Sequence, residues 1–179
     1  MSRRGRQKGF LNLFYQVVLH LLIIFLAFII QTSIFPMIPL FNTSPNLLLI
    51  ITFSYGLLYS ERIGILTGVI CGLLFDMYFN GEFGFYILIY SLIGYFNGRL
   101  NSAFYNDTIT LPFVLSLVNG FSYNFYIYFT HFFIRRKFNL IYYFFNLMLP
   151  NVLFTLIVTV VLYKFLYYFN IIRVGNKLE

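Results

Sequence analysis

Apolar residues follow one another along this chain in runs that are mostly too long for the elements of a soluble domain. The first run extends from about residue 13 to 35, and the last from about 148 to 170. Two further runs cover about 84–98 and 109–133. A helix needs about 20 apolar residues to cross a hydrocarbon layer of about 30 Å. The pattern therefore predicts several membrane-crossing helices joined by short polar segments.

The apolar run between residues 47 and 75 is interrupted by Ser60, Glu61 and Arg62. As a single helix, this run would place both charges near mid-membrane, at a cost of about 2.5–3.5 kcal/mol each on insertion scales. As two helices, 47–60 and 63–79, each part would be short, at roughly 20–25 Å. The sequence favours two short helices, and so predicts an all-α integral membrane protein with a bundle of about six transmembrane helices.

Composition agrees with a membrane protein. Of the 179 residues, 60% are hydrophobic and 9% are charged, whereas soluble domains have about 25% charged residues. We expect a basic N-terminal segment at 1–12, one transmembrane domain at 13–170 and a short tail at 171–179.

The net charge of +7 is carried by Lys and Arg at the ends of apolar runs, so no nucleic-acid-binding face is predicted. Cys71 is the one cysteine, which excludes an internal disulfide.

The distribution of positive charge gives a weak indication of orientation. With six spans, both termini lie in the cytoplasm, and eight basic residues fall on that side. The cluster at 135–137 then lies outside, against the rule. Five spans would bring that cluster inside but move Arg99 and the C-terminus out. The cost of burying Glu61 and Arg62 favours six spans.

Glycines recur every four residues in two of the predicted helices. They are Gly64, Gly68 and Gly72 in the first helix, and Gly94 and Gly98 in the second. Small residues at this spacing form a groove on one helix face, and helices in membranes associate by close packing at such grooves. Two interpretations stay open: the glycines pack helices within this chain, or they contact a separate membrane protein.

Asp76 continues the first glycine stripe by one more step of four residues, and Asn80 by another. A short turn containing Gly81 and Gly84 follows. An ionisable residue at a membrane edge is a candidate functional residue. Alternatively, Asp76 or Asn80 caps backbone N–H groups of that turn. The two interpretations are compatible, because a carboxylate that fixes the turn also fixes how the segment is presented.

Candidate catalytic residues are sparse. His20 and His131 are more than a hundred residues apart, and no two acids fall together at one depth as an acid–base pair. We expect His20 to hydrogen-bond to a neighbouring helix. No metal-binding spacing or phosphate-binding loop is present in the sequence. The sequence therefore predicts neither enzymatic activity nor a cofactor.

The central third of the chain resembles the MreD family of bacterial rod-shape-determining membrane proteins. The resemblance rests on Ser-Pro-Asn-Leu-Leu-Leu at 44–49, on the stripe from Gly64 that ends in Gly-Leu-Leu-x-Asp at 72–76, and on Gly-x-x-Gly at 81–84. Pro45 and Asn46 match the family motif by position, as do the stripe glycines, Asp76 and Gly84. Asn46 stands where the family often has Asp, and Phe83 where a smaller aliphatic residue is usual.

This resemblance implies a non-enzymatic scaffold in the bacterial inner membrane. Its implied partners are MreC, the filament protein MreB, and RodA with its transpeptidase in sidewall peptidoglycan synthesis, besides membrane lipids. The implied fold is similar to the substrate-binding subunits of energy-coupling-factor vitamin transporters. The alternative function is such a small-molecule-binding subunit. An enzyme acting on lipid-linked precursors is a third class, for which the sequence offers no residues.

Overall fold

The computed structural model describes residues 3–37, 43–79, 83–101, 110–130 and 140–175. Within these ranges the chain forms six helices. They are α1 (Arg3–Ile29, continued by a π turn at Ile30–Ile34 and a 3-10 turn at Phe35–Met37), α2 (Leu47–Leu58), α3 (Glu61–Tyr78), α4 (Phe85–Leu100), α5 (Thr110–Tyr128) and α6 (Leu140–Tyr143, a π turn at Phe144–Met148, and Leu149–Gly175).

The break between α2 and α3 confirms the prediction of two short helices. Ser60 is extended, with φ −175° and ψ 169°, and its side-chain oxygen accepts a hydrogen bond from the backbone N–H of Ile63 at 3.5 Å. Glu61 and Arg62 therefore lie in the first turn of α3 and are both exposed. A carboxylate in a first turn interacts favourably with the helix dipole. The two charges start a helix instead of interrupting one.

The outer helices are longer than the sequence predicted. α1 begins at Arg3, inside the basic segment, and α6 begins at Leu140 instead of about 148. α6 also continues to Gly175, within the predicted tail. Pro150 lies inside α6, although proline lacks the N–H that an α-helix needs in its interior. Here the π turn at Phe144–Met148 ends two residues before Pro150 and lets the helix continue.

Two stretches of the described chain are long and apolar enough to cross a membrane. They are Phe14–Met37 in α1 and Ile141–Tyr168 in α6, with mean hydropathies of 2.5 and 2.1. α2 is apolar but has 12 residues, which gives a length of about 18 Å. The structure thus supports an all-α protein with apolar helices, while six complete crossings and the likeness to transporter subunits stay predictions.

α2 is the central helix of the bundle. Every residue from Leu47 to Leu57 is buried, and α1, α3, α4, α5 and α6 all contact this helix. A helix that is hydrophobic on all sides is stable only where other elements surround it. The apolar residues on all faces of α2 are therefore explained by its place at the centre.

In this bundle large apolar side chains lie on the outside and polar side chains lie inside, as expected for a protein in lipid. Large apolar side chains such as Phe14, Ile157 and Val161 are more than 60% exposed. Polar side chains such as Asn97 and Thr155 are about 1% exposed. In water such an exposed apolar surface would be unfavourable, and in hydrocarbon it is the ordinary arrangement.

Candidate functional site: a glycine seam and two capped helix starts

Six buried glycines line the contacts among α2, α3 and α4, and we call them the glycine seam. Its members are Gly56 of α2, then Gly64, Gly68 and Gly72 of α3, and Gly94 and Gly98 of α4. Gly64 and Gly94 lie directly opposite each other. A methyl group on either residue would overlap backbone atoms of the other. The backbones are therefore closer than any side chain at these positions would allow.

The same close approach runs along the whole of the α3–α4 contact. Gly68 faces the carbonyl group of Tyr90, and Gly72 faces the backbone of Ile87. At the other end, Gly98 faces the backbone of Glu61. All five glycines of the two predicted stripes thus pack helices within this chain. Because they are buried, the seam offers no groove for the helix of another protein.

Gly56 belongs to the seam although the sequence analysis did not single it out. A Cβ atom there would lie 2.8 Å from the carbonyl oxygen of Gly94 and 3.0 Å from the backbone nitrogen of Gly98. Its signal was present in the sequence, since Gly56 precedes Gly64 by eight residues and so continues the spacing of four. The helix break at Ser60 hides this regularity, because Gly56 and Gly64 belong to different helices.

Asp76 caps the first turn of α4 from the end of α3. Its Oδ2 accepts hydrogen bonds from the backbone N–H groups of Gly84 and Ile87, both at 3.1 Å, and its Oδ1 accepts one from Tyr86 at 3.2 Å. The carboxylate is buried. The first N–H groups of a helix have no partner within the helix, and a negative charge there is favoured by the helix dipole. Asp76 therefore fixes the α3–α4 connection.

Gly84 is the N-cap residue of α4 and has a φ of +105°. Only glycine adopts this backbone conformation without strain, and glycine has no side chain to cap the helix itself. The cap consequently comes from Asp76, which explains why both residues stand in one short motif. Asn80 and Gly81, the other predicted members of this turn, lie outside the described residues.

The start of α2 is buried inside the bundle, and the side chain of its own N-cap residue contributes to capping it. Asn46 is the N-cap residue, and its Oδ1 accepts a hydrogen bond from the backbone N–H of Leu49 at 3.0 Å. The hydroxyl group of Tyr90 in α4 donates a second hydrogen bond to the same oxygen at 2.8 Å. Pro45 is buried directly before this cap. Asn46 thus joins α2 to α4.

Two further helices supply partners to the start of α2. The side-chain oxygen of Gln31 in α1 accepts from the backbone N–H of Leu48 at 3.1 Å. The hydroxyl oxygen of Thr155 in α6 accepts from the backbone N–H of Asn46 at 3.1 Å. A backbone donor without a partner in hydrocarbon costs several kcal/mol. These side chains therefore make it possible for a helix to begin inside the bundle.

Gln31, Tyr90 and Thr155 are site residues that the sequence analysis missed. Gln31 had a detectable signal, because it is a polar residue that ends a run of apolar ones. Tyr90 and Thr155 had none, since the chain contains many tyrosines and threonines in apolar surroundings. Only the three-dimensional arrangement brings them to Asn46.

His20 lies in α1, and its Nε2 is 3.0 Å from the hydroxyl oxygen of Thr67 in α3. Its ring also packs edge-on against Tyr55, with the ring centres 4.0 Å apart. The prediction that His20 bonds to a neighbouring helix is confirmed. His131 lies outside the described residues. Over the ranges that the structure describes, no group of three or more His, Cys, Asp or Glu could hold a metal ion.

Apolar helices that approach through small residues, with hydrogen-bonded polar groups inside, are typical of a helical membrane protein. A family model described as rod shape-determining protein MreD matches residues 12–171 of the 179-residue chain. This chain belongs to the MreD family, whose members are membrane proteins of cell-shape determination and not a known enzyme family. The resemblance seen in the sequence is confirmed. No curated protein and no solved structure matches the chain.

Proposed function

We propose that this chain is a non-enzymatic scaffold of the bacterial inner membrane that binds MreC and links it to peptidoglycan synthesis during cell elongation. The observation that carries the proposal is the family match over residues 12–171. MreB, and RodA with its transpeptidase, are further partners in this proposal, through direct or indirect contact. Both termini lie in the cytoplasm, and the chain crosses the membrane several times.

The geometry of the motif residues supports a scaffolding role. Asp76 is the one buried acid among the described residues, and its two oxygens accept three backbone hydrogen bonds. Asn46 likewise accepts from Leu49 and Tyr90. A general acid or base needs access to a substrate proton. These groups are instead used to hold helix ends, which suits a protein that presents a fixed surface to partners.

The seam also restricts which face a partner can use. Because α3 turns its glycines toward α4, a partner must bind elsewhere, and α3 still exposes Leu66, Leu73 and Met77. A substitution such as Gly68→Leu would disrupt the fold itself, so a loss of partner binding in that variant would not report a contact. A variant on the exposed face is the informative one.

The test is capture of MreC by the tagged chain in mild detergent, with both proteins from the same organism. We expect the wild type to capture MreC above the level of an unrelated tagged membrane protein. Leu73→Trp and Met77→Trp serve as exposed-face variants, and Gly68→Leu serves as a control for disrupted packing. Lack of capture by the wild type, both in detergent and after cross-linking in intact membranes, would refute the proposal.

The alternative is a vitamin-binding subunit of an energy-coupling-factor transporter. Such a subunit gathers polar groups around a ligand pocket. Here the buried polar groups at the start of α2 bond to one another and to the backbone, which favours the scaffold. Small molecules retained by the purified protein, identified by mass spectrometry, would reverse that preference.

A further inference from the structure

A lateral groove of about 240 Å³ lies between α1 and the ends of α2 and α3 that meet at Ser60. We call it the α1 groove. Val17 and Leu21 form its α1 wall, Tyr59 contributes from the end of α2, and Ile63, Leu66 and Ile70 line it from α3. It contains none of the glycine-seam residues.

The groove exists because only one half of α1 packs closely on the bundle. In the second half, Ile24, Ala27 and Gln31 are buried. In the first half, Val17 is 50% exposed and Leu21 is 43% exposed, although both face the groove. The first half of α1 therefore leaves space between itself and α3.

Two polar side chains that line the groove bond to each other. His20 and Thr67 both line it, and their side chains form the 3.0 Å hydrogen bond described above. The ring of Tyr55 packs against the His20 ring. The walls consist mainly of Val, Leu and Ile side chains, so the groove presents a largely apolar surface to its occupant.

The size of the wall residues distinguishes between a partner helix and a hydrocarbon chain. Among the ten described residues that line the groove, none is Gly, Ala or Ser. Helices in membranes come close together where small residues line the contact, as at the glycine seam. An irregular wall of branched and aromatic side chains instead suits a flexible chain that can follow its shape.

Basic residues at one end of the groove indicate the charge of the headgroup that its occupant carries. Arg62 is exposed and directly precedes the groove residue Ile63. The sequence of α1 carries four basic residues and no acid at 3–8, before its groove residues begin at Gln16. Glu61, also exposed, is the one acid near this end among the residues that the structure describes. The net positive charge favours an anionic group at the membrane surface.

We propose that the α1 groove binds one hydrocarbon chain of an anionic phospholipid, whose phosphate lies at the end marked by Arg62 and the basic start of α1. The experiment uses the full chain in nanodiscs of equal phosphatidylglycerol and phosphatidylcholine, released into native mass spectrometry. We expect one retained phosphatidylglycerol, favoured over phosphatidylcholine by about fivefold for each basic residue in contact.

Neighbouring residues provide matched variants. Val17 lines the groove and Val18 does not, yet the two are similarly exposed, at 50% and 43%. Val17→Trp should fill the groove and reduce the retained lipid several-fold, whereas Val18→Trp should leave it unchanged. Leu21→Trp and Leu22→Trp form a second pair with the same expectation. Arg62→Gln should reduce the preference for phosphatidylglycerol by about fivefold without abolishing lipid retention.

Three results would overturn the proposal. Equal lipid loss within both pairs would show that the lipid binds elsewhere on the surface. Equal retention of the two phospholipids would remove the role of charge. Cross-links from a photoreactive residue at Val17 to another protein, with no retained lipid, would make the groove a protein interface. Circular dichroism checks that each variant is folded.

Discussion

Two regions of this protein are held together in different ways. α2, α3 and α4 meet at the glycine seam, where backbone touches backbone. In the contacts of α5 and α6 with each other and with this unit, polar side chains pair. Asn97 of α4 and Asn119 of α5 exchange two hydrogen bonds, each 3.0 Å long. Ser116 of α5 and Thr159 of α6 lie 2.9 Å apart.

The comparison shows two solutions to one physical problem. Lipid tails are as apolar as leucine, so helices in a membrane gain little by hiding apolar surface from each other. Close packing and hydrogen bonds remain as the means of association. The seam requires residues without a Cβ atom, and therefore does not tolerate a substitution that adds a side chain. A hydrogen-bonded pair depends on matching groups, and two apolar side chains of similar shape can replace it together.

The largest effect should come from adding one methyl group to the seam. In Gly68→Ala the new Cβ would overlap the carbonyl group of Tyr90, so α3 and α4 must separate. We expect a loss of about 3 kcal/mol, since overpacking typically costs 1–3 kcal/mol and backbone atoms cannot rotate away. The measurement is SDS titration in mixed micelles, followed by circular dichroism.

Gly120→Ala in α5 is the matched control. Its Cβ would meet only the side chain of Val152, at 3.3 Å, and that side chain can adjust. Alanine also forms helix better than glycine by about 1 kcal/mol. This variant should be as stable as the wild type or slightly more so. Equal destabilisation by the two alanines would show that the regions do not differ as described.

A smaller effect should follow from removing the cap on α4. Asp76→Ala leaves the N–H groups of Gly84, Tyr86 and Ile87 without their acceptor, and we expect a loss of about 2 kcal/mol. Asp76→Asn should lose about half as much, because its one amide oxygen can still accept two of these bonds. SDS titration gives the stability, and restoration of rod shape in depleted cells gives the activity.

The two variants separate hydrogen bonding from charge. Equal losses for Asp76→Ala and Asp76→Asn would mean that the negative charge is what matters. Unchanged stability in both would contradict the capping role. A loss of rod shape without any loss of stability would instead place Asp76 in contact with a partner.

The smallest effect should come from the asparagine pair. Asn97→Leu or Asn119→Leu alone removes the partner of the other amide, with a loss of about 1 kcal/mol. The double variant should recover most of this loss, since neither amide remains. Double-mutant cycles in membrane proteins give interaction energies that average about 0.6 kcal/mol. Losses that simply add in the double variant would show that the two amides do not act as a pair.

Some features followed from the sequence because they depend on neighbours along the chain. The apolar runs, the break before Glu61 and the glycine spacing each reflect local periodicity. The sequence also placed Asp76 beside the turn that ends at Gly84, only eight residues away. The family followed from the same central block, because its motif is contiguous.

Other features were decided by the tertiary structure. The sequence could not say whether the glycine stripe faces α4 or a partner, because either choice satisfies the same spacing. It could not show that Gln31, Tyr90 and Thr155 meet at the start of α2, since they come from three different helices. Such contacts depend on how helices pack across long sequence separations. Periodicity in the sequence shows which face of a helix can pack closely. Only the packing of the folded chain decides which other helix that face contacts.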